Sequence, residues 1–230
     1  MPLVMNKFSS RDELNSEFAA TIANLLSDAI SAKGEASIAV SGGSTPLGLF
    51  QQLSKADVEW SKVTITLADE RWVDNTHSDS NEKLVRDNLM VNAASEARFF
   101  SLKTAHDNAF DAESSLENAD DQPSMPFDVL ILGMGGDSHT ASLFPCCAQI
   151  TDGLDLSSSR RFIATEPTTA PHQRMSYTLS ALVSAKALFL HLTGDNKLEV
   201  LEESLNASDP AEKPIKAVVD NADVTLMWAP

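Results

Sequence analysis

The stretch FDVLILGMGGDSHTASLFP, residues 127–145, decides the fold that this sequence predicts. It begins with an apolar run, Val129–Leu132, and continues into three glycines followed by Asp137 and His139. A short apolar run bounded by turn residues is typical of a buried strand, and glycines after it let the backbone turn sharply and approach a ligand. Histidine is the side chain best suited to proton transfer near neutral pH. The stretch therefore predicts a strand that delivers an acid and a histidine to the mouth of a site.

Strand-like and helical patterns alternate on both sides of this stretch. Further short apolar runs lie at Ser37–Val40, Val63–Leu67, Phe162–Thr165, Ala187–Leu192 and Val224–Trp228. Helical spacing or helix start signals appear at Arg11–Ala32, Pro46–Leu53, Ser80–Met90, Asp107–Asn118 and Leu198–Leu205. This alternation predicts an α/β fold with a mostly parallel sheet and helices on both faces. Because no linker or repeat interrupts it, we expect residues 1–230 to form a single domain.

Three segments in the second half of the chain carry weaker patterns. Thr151–Ser159 is polar and predicts a loop, and Pro167–Arg174 contains two prolines and predicts irregular structure. Met175–Ala185 has mixed spacing and receives no assignment.

Four polar stretches directly follow predicted strands. They are Ser41–Pro46, Asp69–Arg71, Gly133–His139 and Thr193–Lys197. In open parallel sheets, ligands bind beyond the carboxyl ends of the strands, which lie along one edge. We therefore expect the four stretches to line one site, with the charges of Asp69 and Arg71 placed to meet a ligand.

The first of these stretches, SGGSTP at residues 41–46, has the composition of an anion-binding loop. Gly42, Gly43, Ser44 and Thr45 precede a proline suited to the first turn of a helix. Free backbone N–H groups and the positive end of the helix dipole would then face the ligand. No Gly-Lys-Ser/Thr follows, so the loop is not a P-loop, and an ordinary strand-to-helix turn remains the alternative.

The charge balance restricts the class of ligand. A net charge of −16 argues against nucleic-acid binding, which needs basic residues to neutralise phosphates. An anionic ligand would need local cations, and Arg71, Arg174 and Lys197 supply them near the predicted site. A phosphorylated small molecule fits this set. His139 is then available for proton transfer, and Asp137 is positioned in sequence to orient it.

Composition also predicts the compartment. No run approaches the roughly 18 apolar residues of a membrane span, and the N-terminal residues lack the pattern of a signal peptide. Cys146 and Cys147 are adjacent, which is a poor arrangement for a structural disulfide or a zinc site. We expect reduced thiols in a cytoplasmic protein that does not bind membranes. The sequence leaves the oligomeric state open.

Two other reaction classes fit less well. The pentapeptide GDSHT at residues 136–140 is close to the nucleophile elbow G-x-S-x-G, but it ends in threonine and no downstream acid–histidine pair is evident. Metal catalysis would need several histidines or carboxylates at ligand spacing, and only Asp137 and His139 lie close in sequence.

Taken together, the motifs resemble one enzyme family, and they occur in the order of that family. They are SGGSTP (41–46), DERWV (69–73), SDSN (78–81), GMGGDSHTASLFP (133–145), RMSYTL (174–179) and TGDNK (193–197). The family is the 6-phosphogluconolactonases of the glucosamine-6-phosphate-isomerase-like type. The resemblance implies a Rossmann-like, sugar-phosphate-isomerase-like sheet and hydrolysis of 6-phospho-D-glucono-1,5-lactone without a cofactor. It also implies that His139 is catalytic, that Arg71 binds the substrate phosphate and that Arg174 and Lys197 line the pocket.

The sequence departs from the family pattern at Ser138, where glycine is usual, and at Leu47, where a basic residue often stands. If position 138 needs a positive φ, a serine there is strained. A related family, the glucosamine-6-phosphate deaminases, uses an acid five residues after the histidine, where this chain has Phe144. A deaminase-like isomerase and a non-catalytic sugar-phosphate-binding protein are the alternatives to a lactonase.

The lactonase hypothesis has a definite mechanism. His139 takes a proton from the water that attacks C1, and it returns that proton to the departing ring oxygen. We expect backbone N–H groups of residues 135–138 to stabilise the oxyanion.

Overall fold

Ten strands, identified from residues 3–230 in a computed structural model, form two sheets. They are β1 (Val4–Lys7), β2 (Ala36–Val40), β3 (Val63–Leu67), β4 (Asp69–Arg71), β5 (Arg98–Phe99), β6 (Val129–Leu132), β7 (Phe162–Thr165), β8 (Arg174–Tyr177), β9 (Ala187–Thr193) and β10 (Val224–Ala229). The larger sheet has seven strands in the order β1-β10-β9-β6-β2-β3-β5, and every neighbouring pair in it is parallel. The predicted α/β fold with a mostly parallel sheet is confirmed.

Within residues 3–230, eight α-helices surround the strands. They are α1 (Arg11–Lys33), α2 (Leu47–Leu53), α3 (Asn81–Asn88), α4 (Ala109–Glu117), α5 (Ile150–Gly153), α6 (Leu179–Val183), α7 (Asp195–Leu205) and α8 (Pro214–Asn221). The longest, α1, begins where the Ser10 hydroxyl accepts a hydrogen bond from the Glu13 N–H and ends at Gly34, which has a left-handed φ of 85°. Its buried face includes Leu14, Phe18 and Ile22. No helix within residues 3–230 is long and apolar enough to cross a membrane.

The order of the strands reverses between β2 and β6. From β2 the chain runs outward through β3 to β5, and it then returns to place β6 on the other side of β2 before continuing to β9 and β10. The loops that leave β2 and β6 therefore diverge, and a crevice opens between them at the carboxyl ends of the strands. This reversal fixes where a ligand can enter.

The smaller sheet is antiparallel and has three strands, in the order β4-β8-β7. The sequence predicted Asp69–Arg71 as a polar strand end, but these residues form a strand of this second sheet. β4 pairs with β8 so that Arg71 lies opposite Arg174. Two basic residues 103 positions apart in sequence thus become neighbours.

Several elements in the structure were not predicted. Strand β1 was missed because its four residues are exposed at the sheet edge and so carry no burial pattern. Ile150–Gly153 forms one helical turn at the start of the predicted loop. Strand β8 begins at Arg174, the last residue of the segment predicted to be irregular, and the rest of β8 and all of α6 lie in the unassigned segment. Helix α8 was also missed, although Pro214 stands in its first turn.

A buried carboxylate, that of Asp128, forms ion pairs at the end of the large sheet that lies opposite the crevice. Asp128, just before β6, accepts hydrogen bonds from the Ser37 N–H at 2.8 Å and from the ammonium groups of Lys33 and Lys186, each at 2.9 Å. Burial raises the pKa of the Asp128 carboxyl, but the hydrogen bonds from Lys186 and Lys33 lower it by more, so the net shift is downward. The ionised form is therefore the one that stabilises the fold.

We expect Asp128→Asn to lower the free energy of unfolding by about 1–3 kcal/mol at pH 7, because two ammonium groups lose their anionic partner. A lowered pKa means that the wild-type advantage is present above the unfolded-state pKa of about 4 and disappears as the pH falls below it. Urea unfolding at pH 7 and pH 3 measures both effects. Glu59→Gln, which removes the exposed pair with Lys62, is the control and should cost less than about 0.5 kcal/mol. An equal cost for both variants would contradict the prediction.

Candidate active site

A cavity of about 310 Å³ lies at the crevice between β2 and β6. All four predicted polar stretches contribute to its wall, through Ser41–Pro46, Asp69 and Arg71, Gly133–Gly135 and His139, and Thr193 and Lys197. Arg174 joins them from β8. Of the predicted site residues, Asp137 alone is not part of the wall, and it reaches the cavity through His139.

His139 and Asp137 form a hydrogen-bonded pair. The His139 Nδ1 atom lies 2.5 Å from the Asp137 Oδ1 atom, and the backbone N–H of His139 donates to the same oxygen at 3.2 Å. Gly135 makes room for this pair, because a Cβ atom at that position would lie 2.1 Å from His139 Nδ1. Position 135 therefore requires glycine, because the His139 and Asp137 side chains leave no space for a Cβ atom.

The charge state of Asp137 sets the tautomer of His139. Burial raises the pKa of the Asp137 carboxyl, but the charge and hydrogen bond of His139 lower it by more, so the net pKa lies below the ordinary value. An ionised carboxylate accepts only, so Nδ1 carries the proton. The other ring nitrogen, Nε2, is then a free base, and it makes no hydrogen bond with any residue of the described range 3–230.

The loop that carries His139 is closed by its own backbone hydrogen bonds. The Gly135 N–H donates to the His139 carbonyl at 2.8 Å, and the Ser138 N–H donates to the Gly135 carbonyl at 3.2 Å. The expectation that the N–H groups of residues 135–138 are free to stabilise an oxyanion is therefore wrong for these two. Position 138 does adopt a positive φ, 70°, which is the condition under which a serine there is strained.

The aromatic ring of Phe144 forms one side of the His139 site. The two rings stack with centroids 4.0 Å apart and an interplanar angle of 23°, and the Arg174 guanidinium lies 5.6 Å from the Phe144 centroid. Phe144 is buried. It occupies the position where a deaminase would need an acid, and it limits the ways in which the imidazole can turn.

The cavity wall is locally basic, although the chain as a whole has a net charge of −16. Its lysine, arginine, aspartate and glutamate side chains comprise three cations and one carboxylate. Burial lowers the pKa of Arg174, and the nearby Asp69 partly offsets this effect. The buried Nε atoms of Arg71 and Arg174 have no hydrogen-bond partner within residues 3–230. Lys197 donates to the Met134 carbonyl at 2.9 Å, and an ammonium group has two further N–H bonds to offer.

A fully buried carboxylate, which the sequence did not single out, holds Arg71 in place. Glu70 accepts hydrogen bonds from the backbone N–H groups of Arg71, Asn81 and Glu82, each at 2.7 Å, and from the Ser80 hydroxyl at 3.0 Å. Burial raises the pKa of Glu70, and these donors limit the rise. The carboxylate thus ties β4 to the N-terminus of α3, where the helix dipole favours negative charge.

Asp69 is held by one residue of the loop after β6 and one residue of α3. Its Oδ2 accepts from the Ser142 hydroxyl at 2.5 Å, and its backbone carbonyl accepts from the Asn81 side-chain N–H at 2.9 Å. Asn81 also packs against Gly42, where a Cβ atom would lie 1.9 Å from Asn81 Oδ1. The structure therefore places Asn81 in the cavity wall, whereas the sequence pattern marked this residue only as part of the SDSN motif.

The loop at residues 41–46 has the geometry expected of an anion site. The backbone N–H groups of Gly42, Gly43, Ser44 and Thr45 have no hydrogen-bond acceptor within the described part of the chain. Gly43 has a φ of 93°, which a residue with a Cβ atom adopts only under strain. The Ser41 hydroxyl donates to the Ile131 carbonyl at 3.1 Å and accepts from the Gly133 N–H at 3.3 Å, which joins the loops after β2 and β6.

Sequence reasoning missed some residues that line the cavity, among them Asn81 and His191. The SDSN motif pointed to the segment of Asn81 but not to its side chain. His191 lies inside the apolar strand β9, where nothing marks it as different from a core residue. Within residues 3–230, no group of three or more histidines, cysteines or carboxylates could hold a metal ion, and both cysteines are free thiols.

Comparison with known proteins places these features in a family. The family model for glucosamine-6-phosphate isomerases/6-phosphogluconolactonase matches residues 9–228. A 6-phosphogluconolactonase of Rhizobium meliloti (strain 1021) is 40% identical over 228 residues, 98% of each chain, and one of Pseudomonas putida is 38% identical over 98% of this chain and 93% of its own. The crystal structure of a 6-phosphogluconolactonase from Shewanella baltica OS155 is 42% identical and superposes with a TM-score of 0.95, covering 100% of this chain and 98% of its own.

Proposed function

The chain belongs to the glucosamine-6-phosphate isomerase/6-phosphogluconolactonase family, and from this premise we propose that it hydrolyses 6-phospho-D-glucono-1,5-lactone to 6-phospho-D-gluconate, with His139 as general base. This is a reaction of the pentose phosphate pathway. One observation carries the proposal: a single cavity joins the Asp137-bound imidazole to three cations and an anion loop. A substrate with a reactive ester at one end and a phosphate at the other matches both halves of that cavity.

The Asp137–His139 pair can carry out the proton transfers. Asp137 holds the proton on Nδ1, so the Nε2 atom of His139 accepts a proton from the water that attacks C1 of the lactone. The bond between C1 and the ring oxygen then breaks, and His139 returns the proton to that oxygen. The product is the open-chain acid, and the histidine ends in its starting state.

The second half of the cavity binds the phosphate. Arg71 and Arg174 approach from the antiparallel sheet, each with a buried N–H group that needs an acceptor. The loop Gly42–Thr45 adds free backbone N–H groups, and Lys197 adds a third cation. Asp69, held by Ser142, adds an acceptor suited to a sugar hydroxyl. Phosphate oxygens accept hydrogen bonds from the donors, so charge and hydrogen bonding are both complementary.

The same site does not favour deaminase chemistry. Ring opening and enolamine formation need an acid–base network around the histidine. Phe144 stacks on His139 at the position where that acid would stand. A lactone needs no further acid, because water attack and protonation of the ring oxygen use one histidine.

The test is hydrolysis of freshly prepared 6-phosphogluconolactone, followed by coupled oxidation of the 6-phosphogluconate formed. The lactone also opens spontaneously, so the background rate is subtracted. We expect a rate proportional to protein concentration. A rate no higher than background would refute the enzymatic function and favour a sugar-phosphate-binding protein, and glucosamine 6-phosphate would then test the deaminase alternative.

Replacing Arg71 by methionine should raise KM by about 10–100-fold and change kcat much less. The reason is that loss of a charge-assisted hydrogen bond to the phosphate weakens the ground state and the transition state alike. Steady-state kinetics at constant ionic strength measure the two constants. The control is Arg98→Met, which removes the same charge from an exposed residue on β5. An unchanged KM for Arg71→Met would remove Arg71 from the phosphate site.

We further propose that residues 1–230 act as one domain in the cytoplasm, with no nucleic-acid or membrane partner. The net charge of −16 would repel nucleic acid, and the two free thiols suit a reducing compartment. Ser142 and Asp69 join the loop after β6 to the antiparallel sheet, which supports treating both sheets as one unit.

A further inference from the structure

Ser138 directly precedes His139 and has a backbone conformation that costs energy for a residue with a Cβ atom. Its φ is 70°, in the left-handed region, and its side chain is fully buried. Glycine adopts this conformation without steric conflict. A serine here needs a compensating interaction, and the hydroxyl group is the part of the side chain that can supply it.

The compensating interaction is a buried bridge between two hydroxyl groups. The Ser138 Oγ atom lies 2.6 Å from the Ser204 Oγ atom on α7, and both residues are fully buried. Ser204 Oγ also lies 2.6 Å from the Val200 carbonyl oxygen, which only accepts. Ser204 therefore donates to Val200 and accepts from Ser138. In addition, the Ser138 carbonyl accepts from the Ile215 N–H at the start of α8, at 3.1 Å.

The same helix holds the other end of the loop. Lys197, about two turns before Ser204 on α7, donates to the Met134 carbonyl at 2.9 Å. Helix α7 therefore contacts both ends of the segment 134–138, through Lys197 at Met134 and through Ser204 at Ser138. Two hydrogen bonds orient His139, one from its ring to Asp137 and one from the Gly135 N–H to its carbonyl. Asp137 and Gly135 both lie between the two residues that contact α7, and His139 directly follows the second of them.

We propose that Ser138 and Ser204 form a positioning pair, which holds the His139 imidazole at the correct place and angle for the reacting water. The inference rests on the proposed lactonase function for its kinetic consequence. If Ser204 is lost, the buried Ser138 hydroxyl has no acceptor and the strained backbone can relax. The imidazole then moves, whereas the phosphate ligands Arg71 and Arg174, which belong to the antiparallel sheet, stay in place.

A double-mutant cycle tests the pair. We expect Ser204→Ala to lower kcat by about 10-fold, because small misplacement of a catalytic group is costly, while KM changes by less than about twofold. Adding Ser138→Gly should restore kcat, since glycine accepts the left-handed backbone and leaves no unpaired hydroxyl. Thus S138G and S138G/S204A should have kcat values within about twofold of each other. The control is Ser37→Ala, a fully buried serine at the opposite end of the sheet, which should lower stability and leave kcat unchanged.

A second readout does not depend on turnover. The imidazole Hε1 resonance of His139, identified by its absence in His139→Ala, should shift in S204A and return in S138G/S204A. A wild-type kcat in S204A, or a failure of S138G to restore kcat and the resonance, would overturn the inference. If S204A alone does not fold, a kcat about 10-fold lower in S138G/S204A than in S138G would overturn it as well. If the wild type does not hydrolyse the lactone, the proposed function fails, and the resonance alone decides the inference.

Discussion

Replacing His139 by alanine is expected to lower kcat for lactone hydrolysis by about 10²–10⁴-fold, the usual contribution of a general acid–base group. In the proposed mechanism, Asp137 keeps the proton on Nδ1 and leaves Nε2 free to accept a proton from water. Without the imidazole, water must attack unaided. KM should change by less than about threefold, because the proposed phosphate ligands, Arg71, Arg174 and the loop at residues 41–46, are unchanged in this variant.

The coupled assay gives both constants once the spontaneous rate is subtracted. His106→Ala is the matched control, because His106 is an exposed histidine outside the cavity wall whose ring contacts Thr104. It should retain wild-type kinetics. If His139→Ala kept more than about a third of the wild-type kcat, His139 would not be the general base.

The second large effect concerns His191 and the stability of the protein in mild acid. His191 is 3% exposed, its ring packs edge-on against Phe18, and neither ring nitrogen has a hydrogen-bond partner within residues 3–230. Burial lowers its pKa from 6.5 to about 4, so the folded protein keeps it neutral where the unfolded chain is protonated. Stability is therefore lost as the pH falls through 6.5, and the loss levels off below about pH 4.

Linkage gives the size of this loss. Between pH 7.5 and pH 5 the His191 contribution should reduce the free energy of unfolding by about 2 kcal/mol, and by about 3 kcal/mol at pH 4. His191→Leu removes the titrating group and also an N–H that lacks a partner, so the variant should be at least as stable as the wild type at pH 7.5. Its advantage should grow by about 2 kcal/mol at pH 5.

Urea unfolding of the wild type and of His191→Leu at pH 7.5 and pH 5 measures the difference in their free energies of unfolding. The other titrating groups are the same in both proteins, so their effects cancel in this difference. The result would count against the buried neutral state of His191 if the gap between variant and wild type stayed constant across this pH range.

Much of the site was predictable because its residues come in short, locally ordered stretches. Glycines, hydroxyls and charges directly after apolar runs indicate strand ends, and parallel strands bring such ends to one edge. Ser41–Pro46, Asp69–Arg71, Gly133–His139 and Thr193–Lys197 do meet at the cavity. The reversal of strand order between β2 and β6 explains why they meet there.

Other features depend on packing that no local pattern records. The antiparallel sheet pairs Arg71 with Arg174 across a long sequence separation, and the strands involved are short and polar at their ends. Likewise, the Gly135 and Ser138 N–H groups, expected to face the oxyanion, instead close the loop on itself.

The sequence by itself determined the α/β class, the order of the main strands and helices, and the residue types of the site, because periodicity, caps and glycine-rich turns act over a few neighbouring residues. Only the tertiary structure decided that Asp137 contacts His139, that Phe144 stacks on the same ring, that Ser138 is tied to Ser204 and that His191 is neutral. Each of these depends on distances and burial created by the packed chain. A hydrogen bond or a pKa depends on which atoms surround a group, and folding chooses those atoms from anywhere in the sequence.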